Sequence, residues 1–309
     1  MKEDRQFIQH VKRDVLFGHD IAPPIVDPEK CRGCGHCVKV CGASVFEIRE
    51  QKAQVAHGER CFACGHCWSV CPQQAVIQND SFTPTKLKPG PVPAVPPDML
   101  QLLFRERRSV RLFDDKPVSK EHLLQIIEAG RYTPTGSNRQ DIRYIVLSNK
   151  EKVSELRSLV EHFMEETFEA VQNEATASIL ASRMGQQAID VLRYYASAYQ
   201  VAKGIKETNA YFPLPFGPAL IVTHAQSFDQ MASFNCSVAL YNCSLMAHSL
   251  GLGSCFLGFV QIGANMDKTI KHWLRIPEEN QAYGAMVVGH PGVKYLRLIE
   301  RKSPETRWL

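Results

Sequence analysis

The sequence predicts an α+β protein of two domains, a small one organised by cysteines and a larger layered one in which helices alternate with strands. Three observations carry this reading. Eight of the eleven cysteines fall between Cys31 and Cys71, in two runs of identical spacing. Six prolines crowd into residues 81–98. Beyond residue 99 the apolar pattern changes to helical periods separated by short, continuously apolar stretches. The expected division is therefore a cysteine-rich domain with its N-terminal extension over 1–80, a Pro-rich linker over 81–98, and a larger domain over 99–309.

Composition excludes several classes. The 309 residues suffice for two ordinary domains, and 44% hydrophobic with 22% charged residues is globular composition. The formal charge of +4 is spread over 36 basic and 32 acidic residues with no run of five like charges, so no nucleic-acid partner is expected. The opening MKEDRQFIQHVKRD lacks the apolar core of a signal peptide. No stretch approaches the roughly 18 apolar residues of a membrane span; the most apolar region, Cys236–Ile262, is broken by Asn242, His248 and Gln261. A cytoplasmic protein without a membrane partner is expected.

The cysteines give the first chemistry. CRGCGHCVKVC places Cys31, Cys34, Cys37 and Cys41 at spacings of two, two and three; CFACGHCWSVCP repeats this at Cys61, Cys64, Cys67 and Cys71. A disulfide framework would spread its cysteines to close loops. Three close thiolates on a tight loop suit three irons of a cubane, and the fourth, expected to start a helix pointing away, suits the other cluster. Cys31, Cys34, Cys37 and Cys71 are therefore assigned to one [4Fe–4S] centre, and Cys61, Cys64, Cys67 and Cys41 to the second. Zinc fits poorly, because its sites use four ligands in two well-separated pairs. Gly33, Gly35 and Gly65 are expected to leave backbone N–H groups close to the sulfurs. His36 and His66 occupy equivalent points of the two repeats and are read as loop filler. Over residues 24–80 the sequence resembles a bacterial-type ferredoxin with two [4Fe–4S] clusters, departing from it at Gly42, where proline usually follows the fourth cysteine.

The linker, with its fixed proline φ angles, reads as a semi-rigid extended connector. Next, Met99 onward has helical spacing, and SKEHLLQIIEAGRYTPTG reads as a helix with Ser119 as N-cap, stopping near Gly130 and Pro134. RYIVLSN reads as a strand, Lys150–Gln172 as a long amphipathic helix, PALIVTHA as a second strand, Phe234–Leu250 as an apolar helix ending at Gly251, and YGAMVVGHP as a third strand. No Gly-x-Gly-x-x-Gly turn follows a strand, and neither a phosphate loop nor a serine nucleophile elbow is present. Cys236 and Cys243, seven apart on one helix, read as small buried hydrophobes. No catalytic acid, base or nucleophile is assigned.

RERRSVR puts four arginines and a serine in seven residues. If it is extended, Arg107, Ser109 and Arg111 share one side, and guanidinium forks with a hydroxyl are good donors to phosphate oxygens. PTGSNRQ (Pro134–Gln140) is a second donor-rich loop. Together with GLGSCFLG (Gly251–Gly258) and GHPGVKYLRLIERK (Gly289–Lys302), these segments make residues 99–309 similar to the nitroreductase-like flavoproteins, which bind FMN. The resemblance implies that Arg107, Arg108 and Ser109 face the ribityl phosphate or ring edge and that Arg111 lies near the pyrimidine end. Arg301 and Lys302 would complete a phosphate clamp. Pro134, Thr135, Gly136, Asn138 and Gln140 would approach FMN at a dimer interface, the loop coming from the second subunit. Cys255, Phe256, Leu257 and Gly258 would run along the flavin, with a backbone N–H near Leu257 offered to N5. Asp141 stands where the family often has proline.

The implied function is an oxidoreductase of homodimeric build. It would pass electrons from an external donor, a ferredoxin or NAD(P)H, through two [4Fe–4S] clusters to FMN, and on to a small organic acceptor of nitro, quinone or activated-alkene type. The alternative is an electron carrier or redox sensor without substrate turnover. The aromatic segment between Gln172 and Phe216, with Tyr194, Tyr195, Tyr199, Tyr211 and Phe212, corresponds to the family's substrate lid; tyrosines at helical spacing more often pack.

Overall fold

The computed structural model describes residues 22–77, 95–204 and 214–309. The chain forms two compact units. Among the described residues, one comprises 22–77 with Pro134–Asp141, and the other comprises 95–133, 142–204 and 214–309. Most of the expected linker, up to residue 94, lies outside the described residues, as do Tyr211 and Phe212.

In the first unit, β1 (Ile25–Val26) pairs antiparallel with β4 (Val76–Ile77), bringing the two ends of the repeat together. Between them, β2 (Phe46–Arg49) and β3 (Lys52–Val55) form a hairpin. Its two-residue turn, Glu50–Gln51, has both residues at positive φ (47° and 59°), the backbone twist that closes a tight hairpin. The repeat is visible in the backbone. Helix α1 (His36–Val40) and helix α2 (His66–Ser69) each follow a glycine in the left-handed region, Gly35 at φ 72° and Gly65 at φ 74°. Ser44 and Gln74, thirty residues apart, share positive φ as well. The fourth cysteine of each run does not start a helix as expected. Cys41 caps the C-terminus of α1, and Cys71 follows the end of α2. The left-handed glycine starts the helix one residue before the third cysteine, so the fourth falls at its exit.

In the second unit, helix α3 (Pro97–Glu106) starts inside the proline run, because Pro97 occupies a first-turn position whose N–H a helix does not use. Helix α4 (Lys120–Arg131) is capped by Ser119, whose Oγ accepts from His122 N at 3.2 Å. β5 (Arg143–Leu147) leads into α5 (Lys150–Gln172), capped by Asn149. The aromatic segment forms α6 (Glu174–Met184) and α7 (Gln186–Gly204). Tyr195 and Tyr199 pack against the core, with ring centroids 5.6 Å from Phe259 and Phe168, respectively. Then come β6 (Ala219–Gln226), α8 (Ala232–Ser249), β7 (Gly253–Phe256), α9 (Gly258–Met266), α10 (Lys268–Trp273) and β8 (Asn280–Gly289).

The four strands form one sheet in the order β5–β6–β8–β7, every pair antiparallel. Helices cover both faces. Leu220 and Val222 of β6 join Leu156, Val160 and Met164 of α5 on one side. Ala219 and Ile221 join Ile126 of α4 and Leu240 and Cys243 of α8 on the other. Burial on both faces explains why β6 reads as a continuous apolar run and not as an alternation. Cys236 and Cys243 are fully buried, as small core side chains. Among the described residues no helix is long and apolar enough to cross a membrane.

Candidate functional site

Each run of cysteines contributes three thiols to one cavity and one to the other. Cys31, Cys34, Cys37 and Cys71 line a small cavity of about 20 Å³. Cys41, Cys61, Cys64 and Cys67 line a larger one of about 530 Å³, which Pro134, Thr135, Ser137 and Asn138 also border. The local fold does the sorting. A left-handed Gly35 or Gly65 turns the chain so that the third thiol, in the first turn of the helix, stays beside the two on the loop, and the helix carries the fourth away. Among the described residues no three His, Cys, Asp or Glu groups converge as a single metal ion would require. The thiols surround space instead of meeting at a point.

Electrostatics agree with that grouping. Burial pushes the Cys67 thiol up to about 12, and repulsion from Cys61, Cys64 and Cys41 adds to it. Burial raises Cys37 too, with Cys31 and Cys34 contributing. Four thiols gathered in low dielectric resist ionisation unless a cationic centre compensates them, and an iron–sulfur cluster is such a centre. Backbone donors are in place: Ala53 N and Ala63 N point at Cys31 Sγ and Cys61 Sγ at 3.4 and 3.3 Å, while Val45 N and Ala75 N point at Cys41 Sγ and Cys71 Sγ at 3.4 and 3.2 Å. These donors are not the three glycines the sequence singled out. Gly33 serves closeness instead: at φ 65°, a Cβ there would fall 2.0 Å from Gln51 O in the hairpin turn. Lys52 Nζ donates to Cys31 O from the same hairpin.

The loop PTGSNRQ belongs to this first unit. Ser137, Asn138 and Gln140 all have positive φ (52°, 54° and 52°), a concentration of left-handed backbone that needs tertiary support. Thr135 Oγ1 accepts from Gln140 N at 3.0 Å, and the buried Arg139 Nε donates to Asp141 Oδ2 at 3.0 Å. Asn138 Nδ2 donates to both Phe62 O and Ala63 O, each at 3.1 Å.

In the second unit, Arg107 ends helix α3 and the chain becomes extended. Ser109 bridges Ser254 of β7 in parallel, and Val110 N donates to Ser254 O at 2.9 Å. Alternation then separates the side chains. Arg107, Ser109 and Arg111 all act on Cys255: burial raises its thiol, while Arg111, Ser109 and Arg107 pull it down. Arg108 lies apart from this group, with its guanidinium 4.7 Å from the Tyr295 ring, in a cavity of about 410 Å³ also bordered by His248 and Arg297. Arg107 Nε is buried without a hydrogen-bond partner, an orphaned donor that suits a bound anion. Cys255 and Leu257 are buried and Phe256 is exposed. Leu257 N, expected to face an acceptor, donates to Ala285 O at 2.8 Å, because β7 pairing with β8 extends to it. Gly258 follows as the first residue of α9. Arg301 and Lys302 stand exposed on the irregular C-terminal segment, where Arg105 pairs with Glu300.

Comparison with known proteins gives two family matches, and the larger of them includes the loop 134–141. Residues 104–290 match the model of the nitroreductase family, and residues 23–72 match that of the 4Fe-4S dicluster domain. The FMN reductase [NAD(P)H] of Bacillus subtilis (strain 168) is 25% identical over 189 residues, which is 60% of this chain and 63% of that protein. Ferredoxin-2 of Desulfomicrobium norvegicum is 55% identical over 29 residues, 9% of this chain and 49% of that protein. The chain thus spans less than two thirds of either relative. A Bacteroides fragilis nitroreductase crystallised with bound FMN is 22% identical, with 67% of this chain and 97% of that one covered at a TM-score of 0.48.

Proposed function

The chain belongs to the nitroreductase family, and from that premise we propose an iron–sulfur flavoprotein oxidoreductase. In this reading two [4Fe–4S] clusters deliver electrons to FMN for reduction of an organic acceptor of nitro, quinone or activated-alkene type. The observation that carries it is the pair of four-thiol cages in a chain that also matches a nitroreductase domain. FMN supplies the exchange between one-electron and two-electron chemistry.

Cys31, Cys34, Cys37 and Cys71 would hold one cluster and Cys41, Cys61, Cys64 and Cys67 the other. The eight thiolates fix the clusters, and the four N–H donors offset charge on their sulfurs, which raises reduction potential. Arg107, Ser109 and Arg111 would hold the flavin through its phosphate and ring edge, with Cys255, Phe256, Leu257 and Gly258 alongside. The orphaned Arg107 Nε supports this assignment. Arg108, Arg301 and Lys302 would add positive charge, and Pro134, Thr135, Gly136, Asn138 and Gln140 would come from a second subunit.

A homodimer is supported by apolar surface. Helix α3 buries none of its residues, and Leu100, Leu102 and Phe104 are exposed. Leu296, Leu298, Ile299 and Trp308 are exposed on the C-terminal segment. A second copy would cover these positions. The proposed donor is a separate ferredoxin or NAD(P)H, and a reducing cytoplasm suits thiols kept for cluster ligation. The deciding experiment is anaerobic reduction of purified holoprotein with dithionite, followed at cluster and flavin absorbances. Flavin reduction through the clusters, with turnover on a nitroaromatic or quinone, is expected. Reduced clusters beside a permanently oxidised flavin would overturn the relay.

A further inference from the structure

The two cysteine loops are buttressed by different segments. On the first, the β2–β3 hairpin does the work: Gln51 crowds Gly33, and Lys52 donates to Cys31 O. Thirty residues later Ala63 stands where Gly33 stood, also at positive φ (53°). Here the buttress is the loop 134–141, through Asn138 Nδ2 on Phe62 O and Ala63 O.

One of those carbonyls matters more than the other. Phe62 C=O and Ala63 N–H belong to the same peptide unit, and that N–H points at Cys61 Sγ at 3.3 Å. A donor on the carbonyl oxygen polarises the amide and strengthens the bond its N–H makes. The chain runs Asn138 Nδ2 to Phe62 O, then Ala63 N to Cys61 Sγ. We propose that Asn138 tunes the potential of the cluster held by Cys41, Cys61, Cys64 and Cys67, raising it through this relay while anchoring the loop to it. The proposal rests on the reading of those thiols as cluster ligands. A stronger N–H···S bond stabilises the extra negative charge of the reduced cluster, so losing the Asn138 amide drives that potential down. The other cluster, whose Cys31 Sγ takes its N–H from Ala53 in the hairpin, is untouched.

The test is an EPR-monitored redox titration of reconstituted full-length holoprotein. Asn138→Gly keeps the left-handed backbone open and removes the donor; Asn138→Asp is isosteric and puts an oxygen where the donor was. Expected in Asn138→Gly is one midpoint shifted to more negative potential and the other unchanged, with eight irons per chain; the added carboxylate charge of Asn138→Asp should deepen the shift. Both midpoints unmoved, or both moved equally, would overturn the role of Asn138. Wild-type protein that binds fewer than eight irons would instead strike at the cluster assignment itself, so the two failures are distinguishable.

Discussion

Gly253 and Val110 touch so closely that a Cβ built on the glycine would lie 2.7 Å from the valine's Cβ. That contact presses the extended Arg107–Arg111 segment onto β7, where Val110 N also donates to Ser254 O. Val110 is buried, and the contact is to its branched Cβ, so there is no flexible end to yield. Gly253→Ala should therefore displace the arginine segment, destabilise the protein by about 1–3 kcal/mol and weaken flavin retention. Thermal unfolding and flavin content after gel filtration check both.

Arg107 Nε is a buried donor awaiting an acceptor. Arg107→Gln should lower FMN affinity by about 10- to 100-fold, the range of a hydrogen bond to a charged group. Fluorescence titration of flavin-free protein measures it. Arg108→Gln, remote from Cys255 and set on Tyr295, should have the smaller effect.

The thiol cages make a pairing prediction. Cys41→Ser should alter the same EPR signal as Cys64→Ser, although Cys41 belongs to the first run. Cys71→Ser should in turn match Cys34→Ser. If spectra instead grouped by run, the crossed arrangement of the cavities would be wrong.

His224 is buried in β6, with its Nδ1 2.9 Å from Asn280 Nδ2. Burial, reinforced by Arg143, lowers its pKa to about 4. The folded protein thus keeps the ring neutral while the unfolded chain takes up a proton below roughly 6.5. Stability should be full above pH 6.5 and fall as pH drops towards 4, by up to roughly 3 kcal/mol. Urea unfolding of wild type and His224→Gln at pH 7, 5.5 and 4 isolates the effect; a wild-type loss that persists undiminished in the variant would assign the acid sensitivity elsewhere.

The sequence by itself determined what depends on neighbours along the chain. Ser119 capping α4, the span of α5, the apolar runs of β5, β6 and β8, and the spacing of the eight cysteines all follow from propensity, periodicity or ligand geometry within a few residues. The short strand β7 was legible only as a motif, because its glycine and serine carry no strand signature until Val110 packs on Gly253.

Tertiary structure decided the rest, because it turns on which distant groups come within reach. It made the sheet antiparallel in the order β5–β6–β8–β7 and committed Leu257 N to Ala285. It sent Arg108 away from Arg107 and Arg111, since an extended backbone alternates its side chains. It also set the loop 134–141 against the second cysteine run, about 75 residues back along the chain, a partnership between segments whose separation no local pattern spans.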